Sequence, residues 1–235
     1  MALPKITTPT YTLKQPSTGE EIEYRPFLVG EEKLLLMAME TDDETQIYPA
    51  ILKLVNACTN GKMGKKKDAM FDIEFAFLRI RGKSISESIE LTITCTDDYE
   101  TQVEYTLNTE DVGILVDDTH TTNIELNEDF SLVMRYPTVK DTLDAEKITS
   151  DTEKTFFIIK NCIDIVHYKD ETYNRVDLSN KELDDFFNSM TQAMFETVQQ
   201  FFTTMPKLKH EIEVENPNTK VKSTMVLEGL ADFLG

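Results

Sequence analysis

Tryptophan is absent from this chain of 235 residues, and cysteine, histidine and basic side chains are scarce. Cys58, Cys95 and Cys162 are odd in number and far apart, which fits reduced thiols and implies no disulfide framework. His120, His167 and His210 have no cysteine or glutamate at zinc-ligand spacing, so no metal site is expected. Eight glycines and eight prolines exclude collagen-like, mucin-like and linker compositions. No apolar run approaches the roughly 20 residues that a bilayer span needs. The amino terminus also lacks a basic stretch followed by an apolar one, and a soluble, unsecreted chain is expected. Lysine and arginine number 24 against 43 acidic residues, a formal charge of −19, so the average surface repels nucleic acid and anionic lipid. Neither a nucleic-acid nor a membrane partner is expected.

What is present is a 40% hydrophobic fraction, enough for a substantial core. The longest patterned segment covers residues 179–206. Ser179 and Glu182 have capping-box spacing, and Leu183, Phe187, Met190, Met194, Val198, Phe201 and Met205 recur at three- and four-residue steps. Pro206 stops the pattern. One long half-buried helix is predicted, packed as a core spine in preference to filling a partner's groove.

Upstream, Ser17, Thr18 and Gly19 form a turn between extended runs at 11–14 and 21–25, which reads as a hairpin. Residues 31–40 predict a helix apolar nearly all round and therefore buried on several sides, and 43–58 predict a second helix disturbed early by Pro49. Residues 70–80 fit either strand or helix spacing; Ala76, Leu78 and the following Gly82 favour a buried helix. From 84 to 136 the apolar period becomes two, predicting an antiparallel meander with acidic turns. Helices are expected again at 138–147 and 151–167. A hairpin turning at Asn216, Pro217 and Asn218 follows, then an apolar knob of Leu230, Phe233 and Leu234. No internal repeat is apparent.

Motifs that carry chemistry are missing. There is no G-x-S-x-G, no H-E-x-x-H and no dinucleotide glycine pattern, and Gly61 and Gly64 are too close for a phosphate loop. Neither an enzyme nor a cofactor is expected. Asp97 with Asp98 lacks EF-hand spacing and reads as a solvated turn. The candidates that remain are for protein contacts. Lys65, Lys66 and Lys67 form a basic island, and Asp97, Asp98, Asp117 and Asp118 mark acidic turns suited to a basic partner.

Several stretches together resemble a known family. They are the opening MALPKI, PSTG from Pro16, YRPFLV from Tyr24 with the following EEKLLL, FDIE from Phe71, and the ending from Met205 through MPKLKH and VLEGL. In order and spacing they are similar to the small baseplate hub subunits and hub-assembly proteins of T-even-type contractile-tailed bacteriophages. That resemblance implies a part in building the tail baseplate hub, as a transient assembly factor or as a permanent hub subunit. It implies phage tail or baseplate hub proteins as partners, with self-association as a further option. The host cytoplasm during assembly, or the virion baseplate, would be its place. No binding residue carries over, so Tyr24, Arg25, Pro26 and Phe27 stand as packing or partner-contact candidates, with packing preferred.

The fold expected from the residues is α+β. A helical body from 1–83 and 137–235, with a hairpin at each terminus, would carry an inserted antiparallel β-region at 84–136.

Overall fold

The computed structural model describes residues 7–41 and 43–233. The opening residues 1–6, with the MALPKI stretch, and Leu234 and Gly235 at the end lie outside the described residues. The order is β1 (Tyr11–Lys14), β2 (Glu21–Tyr24), α1 (Val29–Met39), α2 (Glu44–Cys58), α3 (Met70–Ser84), β3 (Ser88–Thr94), β4 (Gln102–Asn108) and β5 (Gly113–Leu115). Next come β6 (Asn123–Glu125), β7 (Phe130–Met134), α4 (Val139–Ala145), α5 (Asp151–Asn161), β8 (Ile163–Tyr168) and β9 (Glu171–Asn174). The last are α6 (Asn180–Asn188), α7 (Gln192–Thr204), β10 (Lys207–Glu215) and β11 (Lys222–Glu228). The fold is α+β, with all sheet pairing antiparallel. Two compact units divide it: the chain up to Leu115 together with the chain from Lys207, and Val116–Pro206. These boundaries cut across the expected body and insert at 84 and 136.

In the first unit α3 is the central element. Phe71, Ile73, Ala76, Phe77, Leu78 and Ile80 are all buried, so the helix is enclosed on most sides, as its sequence led one to expect. Two acidic side chains, Asp72 and Glu74, are buried with them and tie distant segments to the helix. Asp72 accepts from Gln15 Nε2 at 2.7 Å, from the Ser17 N–H at 2.9 Å and from the Ser17 hydroxyl, which fixes the β1–β2 turn. Glu74 accepts from the Leu230 N–H at 3.3 Å and holds the terminal 3-10 turn Leu230–Phe233. A β3–β4 hairpin and the sheet β11-β10-β5 supply Ile89, Leu91, Leu107, Leu208, Ile212 and Leu227 to one core with Leu78 and Phe233. Leu230 and Phe233 thus form the expected buried knob.

The second unit is a four-stranded sheet, β6-β7-β8-β9, packed against α5, α6 and α7. Leu132, Ile163, Val166, Leu183, Phe187, Val198 and Phe201 form its core. Aromatic contacts knit the helices together: Phe195 stacks on Phe156 at 5.0 Å and meets Phe187 edge-on at 5.8 Å.

Both units contain the same local module, a repeat that the sequence did not reveal. Each begins with a hairpin, β1–β2 or β6–β7, followed by an arginine and two consecutive helices. Arg25 forks onto Glu31 at 2.6 and 2.9 Å and donates to the Pro26 carbonyl at 2.9 Å, while its backbone N–H reaches the Cys58 carbonyl at 3.0 Å. Arg135 does the same with Asp141 at 2.7 and 2.9 Å, the Tyr136 carbonyl at 3.1 Å and the Cys162 carbonyl at 2.8 Å. In each copy the carboxylate also caps the first helix, accepting from the backbone N–H of Leu28 at 2.7 Å or Thr138 at 2.9 Å. The two cysteines are buried, and burial pushes both thiols up to about 12, where they are inert packing groups.

Three expectations are corrected. The long helix over 179–206 is two helices broken at Ser189 and Met190. The capping box at Ser179 and Glu182 is present, but the Ser189 hydroxyl bonds back to the Phe186 carbonyl at 2.6 Å and Thr191 caps a new start at the Met194 N–H. The helix expected over 151–167 ends at Asn161. The β-branched run that follows becomes β8, because β7 and β9 satisfy its backbone on both sides. The single meander over 84–136 is divided, since β5 pairs with β10 and β6–β7 join β8 instead of β4.

Candidate protein-interaction site

Helix α1 departs furthest from the sequence reading. Of its apolar residues only Leu35 is fully buried, whereas Val29, Leu34, Leu36 and Met37 are 81%, 59%, 52% and 55% exposed. Expecting burial all round was wrong because uniform apolarity says nothing about whether the covering surface belongs to the same chain. The start of the helix is firmly built nonetheless. Glu31 holds the Leu28 N–H and receives both arms of Arg25, whose other nitrogen contacts reach the Pro26 and Ala57 carbonyls, so α1 is anchored to the end of α2. The Arg25 guanidinium holds the Glu31 carboxyl below the usual carboxylate range. The apolar face is therefore presented by a fixed helix.

Between α1 and α2 runs a groove of about 620 Å³. Leu34, Met37 and Ala38 line it on α1 beside Glu31, and on α2 the small residues Ala50 and Ala57 share the wall with Thr45, Gln46, Pro49, Lys53 and Leu54. Pro49 lies inside α2 and lacks an N–H, which leaves the Thr45 carbonyl without its i+4 donor along this groove. Leu34 and Met37, each a little over half exposed, forgo about half of the roughly 1.5–3 kcal/mol that full burial gives, which covering the face would recover.

The residues singled out from sequence fall elsewhere. Tyr24 and Phe27 are buried, and Arg25 and Pro26 are half-buried at the module's junction. Lys65, Lys66 and Lys67 are exposed and, like Lys62, make no ion pair among the described residues. Their loop is pinned by Met63, whose N–H donates to Thr59 Oγ1 at 3.1 Å and whose carbonyl accepts from Asn56 Nδ2 at 2.8 Å. Asp97 and Asp98 are engaged within the first unit. Asn216 Nδ2 donates to both, at 3.0 and 2.9 Å, and Thr219 donates to Asp97, which clasps the β3–β4 turn to the β10–β11 turn. Hydrogen bonds from Thr101 hold the Asp98 carboxyl well below its usual range. Asp117 caps Thr119 at 2.8 Å, and Asp118 is exposed.

Elsewhere His120 sits between Thr204 Oγ1 at 3.0 Å and the Tyr136 hydroxyl at 3.1 Å, with Phe201 5.1 Å from its ring. Burial lowers its pKa. This is a packed polar trio. Among the described residues no cluster of histidine, cysteine and acidic side chains could hold a metal, and no helix is long and apolar enough to cross a membrane.

Compared with family models, residues 8–235 match the T4 bacteriophage base plate protein family. The chain belongs to that family. No match was found among curated proteins or among solved structures. Membership in the baseplate family points to other phage baseplate proteins as its partners, and to the phage particle or its assembly in the host as its setting. The segments that carry the resemblance in sequence prove to be mostly scaffold in this baseplate protein. Ser17 of PSTG meets Asp72 of FDIE, Arg25 meets Glu31, and Glu74 meets Leu230. The exception is the LLL of EEKLLL, where Leu34 and Leu36 are exposed on either side of buried Leu35.

Proposed function

We propose that this baseplate-family chain is a non-enzymatic factor for building the tail baseplate hub, acting transiently through protein contacts. The observation that carries the reading is the open apolar face of α1, held by an ion-paired cap and left exposed among the described residues of its own unit. Leucine and methionine make such a surface adaptable, as a factor that engages and releases a partner requires. The formal charge of −19 keeps the chain dispersed while that face is uncovered, which a factor existing free in the host cytoplasm needs. A permanent hub subunit is the competing reading, and composition of particles separates the two. Relative to the tail-tube protein, the chain is expected at a fixed ratio in tail precursors isolated from infected cells and is expected to be missing from purified mature phage. Presence in both at one ratio would make it a permanent subunit.

A further inference from the structure

We infer that His120 is a pH-sensitive clasp: its neutral ring ties the segment where the chain enters the second unit to the end of α7, where the chain leaves it, and protonation of the ring opens that tie. The chain enters this unit at Val116 and leaves it at Pro206. Residues 117–120 form a tight turn held from within, the Asp117 side chain accepting from the Thr119 N–H at 2.8 Å and the Asp117 carbonyl from the His120 N–H at 3.0 Å. Thr121 Oγ1 accepts from the Asn123 N–H at 3.1 Å, again a local bond. Among the described residues, the hydrogen bonds that carry 117–121 beyond its own neighbours are those of the His120 ring, to Thr204 Oγ1 at 3.0 Å and to the Tyr136 hydroxyl at 3.1 Å. Thr204 is the last residue of α7, two positions before the chain leaves the unit.

The partners fix the state of the ring. Thr204 Oγ1 lies 2.9 Å from the Gln200 carbonyl, which can only accept, so the hydroxyl proton goes there and Oγ1 accepts from Nδ1–H of His120. Nε2 is then the bare nitrogen and accepts the Tyr136 O–H. Protonation would place a hydrogen on Nε2, aimed at the hydroxyl that had been its donor, and would put charge into a half-buried site beside the Tyr136 and Phe201 rings. Among the described residues, the ionisable groups facing the ring are Asp117, on its own turn, and the Tyr136 hydroxyl; α7 presents Thr204 and Phe201, which carry no charge. Asp117 favours the charged ring, but burial outweighs it and holds the pKa below the ordinary 6.5. A closed clasp therefore excludes a proton that an open one accepts. Closure is at full strength above about 6.5 and weakens as pH falls below that value.

The test is made on the full chain. Nitrogen NMR of the imidazole at about pH 7.5 is expected to show His120 neutral with its proton on Nδ1. At about pH 5.5, backbone amide exchange at Thr119 and His120, corrected for the chemical rate, is expected to quicken about three- to tenfold relative to about pH 7.5, since one pH unit below the free imidazole value allows a shift of at most about tenfold. Methyl signals of Leu132 and Ile163, in the core of the unit, are expected to stay unchanged. His120→Asn keeps an amide donor for Thr204 and cannot titrate, so its exchange is expected to be the same at both pH values. Thr204→Val removes the acceptor and is expected to exchange fast at both. A charged ring or an Nε2–H form at the higher pH, wild-type exchange indifferent to pH, or His120→Asn as pH-dependent as wild type would each overturn the clasp. Loss of the core methyl signals at the lower pH would overturn it too, because the response would then be unfolding of the whole unit.

Discussion

Glu74 shows how one side chain can set the pH response of the first unit. It lies on α3, 7% exposed, and its carboxylate accepts from the Leu230 N–H that begins the terminal turn. Burial, with Glu228 adding repulsion, pushes its pKa up to about 7 from 4.5. The folded chain therefore holds a proton that the unfolded chain releases. Stability is unaffected below about 4.5, falls as pH rises toward 7, and levels off above it. Glu74→Gln keeps an acceptor for Leu230 and removes the ionisation. It is expected to be more stable than wild type by on the order of 2–3 kcal/mol at pH 8, at about 1.4 kcal/mol per pKa unit, and equal to it near pH 4.5. Urea titrations at the two pH values check this, and the same difference at both would contradict it. Arg25 and Arg135 work differently, as bidentate forks that join a strand end, a helix cap and a helix carbonyl in one contact.

At the scale of elements, the loop after α2 separates what is structural in a segment from what is merely displayed. Gly64 has φ +83°, and a Cβ there would lie 2.4 Å from the Asn56 nitrogen and 2.5 Å from the Leu52 carbonyl oxygen. Gly64→Ala is expected to cost about 2 kcal/mol or more, whereas changing Lys65, Lys66 and Lys67 to serine is expected to stay within about 0.5 kcal/mol. Thermal melts of the two variants test the contrast. What was legible in the sequence follows the same division. The Ser179 and Glu182 box, the hairpin at Gly19 and the enclosed α3 depend on local chemistry, and each stands where the residues put it. The change from α5 to β8 at Cys162 was not legible, because pairing with β7, which lies two helices upstream, decides it together with the adjacent β9. The paired modules were hidden because they share backbone partners, with little more than an arginine, a nearby proline, a carboxylate and a cysteine in common. The candidate site was legible least of all. The run from Leu34 to Met37 shows its apolarity plainly, but which molecule covers it is not written in one chain.

The whole molecule combines a strongly acidic charge with one open apolar helix face, and the proposed assembly role rests on that combination. It is a T4-type baseplate protein of strongly acidic charge, rigid at its helix caps and open at one apolar helix face. Leu34 and Met37 are more than half exposed, so their replacement is expected to leave the core intact. The central claim is that baseplate assembly proceeds through it. The most direct measurement is the yield of complete tails in infected cells whose only copy of this protein is Leu34→Asp/Met37→Asp, with its cellular level and melting temperature matched to wild type. The account predicts that folded, soluble protein accumulates while tail yield falls at least about tenfold, the scale on which loss of a buried apolar anchor acts. Tails assembled at wild-type yield by that variant would show that the exposed face of α1 is not where this protein works.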